Sequence, residues 1–154
     1  MYQTILVPMD GSKRAEAILS HVASIAKSND AEVFFLKVEE EPIMLERDEV
    51  IDIEKYHEVF DKQNQLSQAY LDELRARFHE KDIHAGTQLA FGSVVKAILN
   101  TAAETGADLI AMATHGLSGL ARVSYGSVAA GVLQAADIPI LLIRNAGDPK
   151  EQTG

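Results

Sequence analysis

Four short runs of this chain are apolar at every position: Ile5-Leu6-Val7, Val33-Phe34-Phe35-Leu36, Leu109-Ile110-Ala111-Met112 and Ile140-Leu141-Leu142-Ile143. A strand with one wet face alternates. A run with no polar position suits a strand covered on both faces. Between these runs, apolar residues recur at helical spacing. Ala15, Ile18, Leu19, Val22, Ile25 and Ala26 form one series, and Val94, Val95, Ala97, Ile98, Thr101 and Ala102 another. Strands alternating with helices build right-handed βαβ units. The expected class is therefore α/β, a parallel sheet with helices on both faces.

The boundaries follow from local signals. The first strand spans Tyr2 to Met9 and is expected to end at Pro8, which cannot donate to a ladder. Asp10-Gly11-Ser12 is a turn, with Ser12 the N-cap of a helix that stops at Asn29-Asp30. The second strand is Glu32 to Val38, followed by Glu39-Glu40-Glu41-Pro42 as an exposed exit loop and an ambiguous stretch from Ile43 to Ile53. Glu54 to Phe78 is helical, with Leu66 and Leu74 in its apolar series and Tyr56, Phe60, Tyr70 and Phe78 expected in the core. Ile83 to Phe91 alternates more, as an edge strand does. Gly106 ends the next helix. The fourth strand is Asp108 to Ala113, the last helix Val128 to Ala136, and the fifth strand Ile138 to Ile143. Residues 1–145 read as one domain and 146–154 as a disordered tail.

Composition narrows the function classes. With no cysteine, disulfides and zinc–thiolate sites are excluded. The net charge of −9 argues against binding nucleic acid or an anionic membrane surface. The longest apolar stretch, Val128 to Ile143, is interrupted by Gly131, Gln134, Asp137 and Pro139, and falls short of the roughly 18 apolar residues of a membrane helix. The N-terminus has no signal-peptide pattern, and a cytoplasmic location is expected.

The chemistry concentrates between Met112 and Val128. An apolar run opens into a loop with Gly116, Gly119 and Gly126, hydroxyl residues beside them and no carboxylate, and then a helix begins. Glycines let a backbone approach closely, and helix N-terminal amides are unpaired and partially positive. Ser127 is placed as N-cap. Two readings of the loop stand: a phosphate cradle, or a degenerate loop that binds nothing. Asp10 is a ribose or metal contact, or a turn residue. His115 donates to phosphate or caps a turn, and Arg122 reaches phosphate or solvent. His21, His57, His79 and His84 show no metal spacing. Ser118 lacks the closing glycine of a nucleophile elbow, since Leu120 stands there. The chain has no Walker lysine, no GxGxxG and no base placed to orient water, so ATP hydrolysis should be very slow or absent.

Two motifs carry a family resemblance. The opening Ile5-Leu6-Val7-Pro8-Met9-Asp10-Gly11-Ser12 is one. Gly116, the nine residues Leu117 to Tyr125, then Gly126-Ser127-Val128 and the closing Pro139 to Ile143 are the other. In these the chain resembles the universal stress protein family over nearly its whole length. The resemblance implies a Rossmann-like five-stranded parallel sheet ordered 3-2-1-4-5, and usually a homodimer. It also implies adenine-nucleotide binding, of ATP or AMP with or without Mg2+. By that analogy Pro8, Asp10 and Val38 line the base and ribose side. Ala113, Thr114, His115 and Gly116, with Gly126, Ser127, Val128 and Ala129, wrap the phosphates, and Met112 stands beside them. Two features depart from the pattern. Ala113 replaces the first signature glycine, and Val123-Ser124-Tyr125 is more polar than the family's leucines. The expected role is a dimeric regulatory or stress-response module that meets a protein partner not named by the sequence. The alternative is a dimeric interaction protein with a vestigial site. The dimer is expected through strand 138–143, whose uncharged edge a second copy would cover.

Overall fold

The computed structural model describes residues 1–40, 53–115 and 126–145. The ambiguous stretch before Ile53, most of the glycine loop and the tail from 146 lie outside them. In chain order the elements are β1 (Thr4–Met9), a 3-10 turn (Ala15–Ile18), α1 (Leu19–Asn29), β2 (Glu32–Glu39), α2 (Ile53–His79), β3 (Ala85–Phe91), α3 (Val94–Thr105), β4 (Leu109–His115), α4 (Ser127–Ala135) and β5 (Ile140–Asn145). The five strands are parallel and ordered β3-β2-β1-β4-β5, as expected, with β3 at one edge.

Alternation along the central strands builds two cores. Ile5, Val7 and Met9 of β1 join Val33 and Phe35 of β2 beneath α1 and α2. Leu6 and Leu36 join Ile110 and Met112 beneath α3 and α4. This is why the runs admit no polar position. Phe35 meets Phe78 of α2 edge to face, with centroids 4.9 Å apart; burying each such side chain stabilises by about 1.5–3 kcal/mol. The second core closes where Gly131 of α4 lies against Val95 of α3. A Cβ on Gly131 would stand 2.8 Å from a Val95 methyl.

Several boundaries differ from the sequence expectation. Pro8 does not end β1, which pairs with β2 through Met9. The Thr4 carbonyl accepts from Asp108 on the β4 side, and alternation turns Pro8 the same way. The β1–β4 ladder has already stopped at Leu6, so no ladder bond is lost at the proline. β3 starts at Ala85 because α2 is closed by a turn through Asp82, whose φ is 59°. The pairing of β4 and β5 opens with the Pro139 carbonyl accepting from Ile110, which sets β5 two residues later.

The aromatic series on α2 also divides. Phe78 is core and Tyr70 packs against it, but Tyr56 and Phe60 are half-buried and stack on each other. Leu66 is 65% exposed. Geometry explains this. The 27 residues of α2 span about 40 Å, whereas the strands beneath it reach only about 25 Å. The N-terminal half of the helix therefore overruns the carboxyl ends of β2 and β3, where Phe60 meets Phe91.

Candidate functional site

The chain leaves β1 for β2 on one side and returns as β4 on the other. At such a switch point the crossovers diverge, and a crevice opens beyond the strand ends. Here the opening is widened because β1 and β4 part after Leu6 and Ile110, while β1 and β2 stay paired to Met9 and Lys37. The result is a cavity of roughly 300 Å³. Pro8, Asp10, Val38, Met112, Ala113, Gly126, Ser127, Val128 and Ala129 all line it. His115 closes β4, paired with Asn145. Gly116, Gly119, Ser118 and Arg122 lie outside the described residues.

Asp10 follows β1 directly. One of its carboxylate oxygens accepts the Ser12 amide at 2.8 Å. Gly11 between them has φ +85°, a conformation that side chains disfavour. Ser12 in turn accepts the Ala15 amide at 3.1 Å, so it caps the turn that starts the first helical segment. Asp10 is thus a turn residue whose carboxylate also stands in the cavity wall, exposed to solvent. Among the described residues no cluster of three or more histidines, cysteines or acids is placed to hold a metal. One carboxylate holds Mg2+ only together with phosphate oxygens and water.

The far wall is the start of α4. Gly126, not Ser127, is the N-cap, and Ser127 is the first helical residue. The reason is Thr114, buried at the end of β4. Its hydroxyl accepts the Gly126 amide at 3.1 Å. The Gly126 carbonyl then accepts from Ala130, the first bond of the helix. The amides after Gly126 are those a helix start leaves unpaired, and they carry the positive end of its dipole. Gly126 has φ −54°, which any residue adopts. Among the described residues nothing stands within 4 Å of where its Cβ would be. Neither its backbone conformation nor any described residue around it requires glycine here.

Ala113 lies inside β4, paired with Ile143, and its φ is not positive. Its methyl packs toward the α1 side, against the first core, and forms part of a hollow of roughly 30 Å³ with Asp10, Arg14, Ala15 and Thr114.

Thr114, inside the expected span from Ala113 to Gly116, also lines the wall, whereas Lys37 and Val94 line it and escape the sequence reading. For Thr114 a signal existed, a hydroxyl directly after an apolar run. For Lys37 it was weak, because Glu39 reads as part of a solvated exit. In the structure Glu39 is the last residue of β2 and 5% exposed. It pairs with Lys37 and accepts from Ser67 and from Gln63, the last at 2.8 Å. Burial alone would raise the Glu39 pKa. The bonds from Lys37 and Ser67, the Lys37 charge and the Gln63 amide outweigh it and hold the carboxyl below its ordinary value.

The sequence matches the family model described as the universal stress protein family over residues 1–144. The chain belongs to the universal stress protein family. A universal-stress-protein relative from Staphylococcus haemolyticus is 32% identical over 160 aligned residues, covering 97% of this chain and 89% of its own. The solved hypothetical protein MJ0577 superposes with a TM-score of 0.80 at 24% identity, covering 96% and 99% of the two chains. A universal stress protein solved in complex with cAMP gives 0.68 at 22% identity, covering 94% and 98%. Universal stress proteins thus share this fold, and at least one of them holds an adenine nucleotide. No helix among the described residues of this one is long and apolar enough to cross a membrane.

Proposed function

We propose that this universal stress protein binds an adenine nucleotide, ATP or AMP, between the ends of β1, β2 and β4 and the start of α4. One observation carries the reading: Gly126 stands in the cavity wall, at a helix N-terminus, with no described residue within 4 Å of where its Cβ would project. A glycine that neither its conformation nor the described residues around it demand is explained by a ligand that needs the room. The apolar lining from Val38, Met112, Val94 and Ile98 suits a purine. Asp10 suits the ribose hydroxyls and the α4 amides suit phosphate; Asp10 would also help to hold a Mg2+ ion that accompanied the phosphates. The cAMP-bound neighbour supports the adenine preference.

The role proposed is regulatory: a cytoplasmic dimer, paired through strand 138–143, whose nucleotide state a protein partner reads. Nucleic acid and membrane are not proposed as partners. β5 is an edge strand with half-buried apolar side chains, which supports the pairing. Ala113 favours a second reading, an interaction protein with a vestigial site. Mass spectrometry of the denatured, purified protein separates the two when joined to calorimetry with ATP and AMP. A co-purified adenine nucleotide, or micromolar titration, supports the first. No heat and no bound nucleotide at millimolar concentration leaves the second.

A further inference from the structure

Behind the Asp10 turn lies a buried ion pair, one member of which, Lys37, also lines the cavity. Lys37 and Glu39 stand two apart on β2, on the Phe35 face. There they meet Gln63 and Ser67, four apart on α2. Both charged side chains are withdrawn from water, 16% and 6% exposed. Lys37 Nζ donates to Glu39 and also to Ser67 Oγ at 3.0 Å. A buried ion pair is weak evidence of stability, because apolar residues of the same volume often serve as well. Its geometry is more informative. With its tip held by two acceptors, the lysine stem becomes a fixed strut. On its way to those acceptors the stem passes Gly11: the Lys37 Cε is 3.5 Å from where a Gly11 Cβ would stand. Gly11 is the residue whose positive φ folds the chain back so that Asp10 accepts the Ser12 amide.

We infer that Lys37 is a positioning residue. Clamped by Glu39 and Ser67, it supports Gly11 and sets where Asp10 presents its carboxylate to the cavity. The inference deepens the nucleotide reading, on which its consequence for affinity rests. It also brings α2 into the site. Gln63 and Ser67 fix the network, so a partner that shifts α2 along β2 moves Asp10 without entering the cavity.

The test uses the full chain and three variants: Lys37→Ala removes the strut, Lys37→Met keeps the stem but frees its tip, and Ser67→Ala removes one anchor. NMR reads solvent exchange of the Ser12 amide against β1 amides such as Leu6. Calorimetry reads ATP affinity in the wild-type and Asp10→Ala backgrounds. The expected result is faster Ser12 exchange in all three variants, largest in Lys37→Ala, with Leu6 unchanged. ATP affinity should fall several-fold in Lys37→Ala and fall no further when that change is added to Asp10→Ala. Unchanged Ser12 exchange overturns the inference whether or not ATP binds. Losses that add in the double variant overturn the link to Asp10. Faster Ser12 exchange in a protein that binds no ATP upholds the strut and sinks the nucleotide reading instead. If Lys37→Ala does not fold, Ser67→Ala and Lys37→Met decide between the same outcomes through the Ser12 amide.

Discussion

Replacing Gly126 by alanine or valine separates ligand space from folding at one atom. The backbone there has φ −54° and ψ 155°, open to any L-residue, and a Cβ meets nothing within 4 Å among the described residues. Folding should hardly notice. Alanine is a poorer N-cap than glycine by something under about 1 kcal/mol. A narrower unfolded ensemble returns about 0.4–1 kcal/mol. The net change should shift the melting temperature by no more than about 4 °C. Binding should notice a great deal. A methyl in the wall holds phosphate away from the α4 amides, and a hydrogen bond to a charged group contributes about 1.5–3 kcal/mol. One lost bond weakens affinity roughly 10- to 150-fold, and valine should do more than alanine. Calorimetry with ATP and AMP, paired with thermal melts, reads both quantities. Unchanged affinity in the valine variant would place the ligand elsewhere. A melting point that collapses in the alanine variant would show that Gly126 serves the fold.

Other outcomes are expected. Ala113→Gly should tighten ATP by less than tenfold, under about 1.4 kcal/mol, since Ala113 needs no positive φ and its methyl packs toward the first core; a larger gain in calorimetry contradicts this. The Glu39 pKa is lowered from an unfolded value of 4.5, so its contribution is full above that pH and is lost as pH falls through the folded value. Melting temperatures between about pH 7 and pH 3 should fall more steeply for wild type than for Glu39→Gln, and parallel curves refute the assignment. Repurified protein should hydrolyse ATP far below about 1 per second in a phosphate-release assay, and turnover at or above that rate counts against a binding module. Sedimentation at micromolar concentration should give a dimer. A monomer would mean that β5 is not paired with a second copy.

The sheet and its order were legible because three central strands are buried on both faces, and burial writes itself into sequence as runs such as Ile5-Leu6-Val7. The cavity lining was legible for a related reason. A switch point gathers whatever follows β1, β2 and β4, so Asp10 and Gly126 could be paired although 116 positions separate them. Side-chain pairings were not. Glu39 looks solvated until Gln63 and Ser67 arrive from α2, and only the register of that helix on β2 decides that they do. The same holds for Thr114 and Gly126, where one hydrogen bond moved the cap by a residue. Tyr56 and Phe60 show the opposite failure. Helical spacing names the face of a helix but not where the sheet beneath it ends.

The bond between Thr114 and Gly126 has an evolutionary consequence. It ties β4 to α4 at the two ends of the intervening segment, so among the described residues the cavity's opposite walls are bonded directly to each other. A change in that segment's length or composition leaves both partners of this bond in the chain. Doubling such a loop costs only about 0.6 kcal/mol of closure entropy. Descendants of this chain can therefore exchange the segment wholesale, and alter what covers a ligand or what meets a partner, while inheriting the same walls.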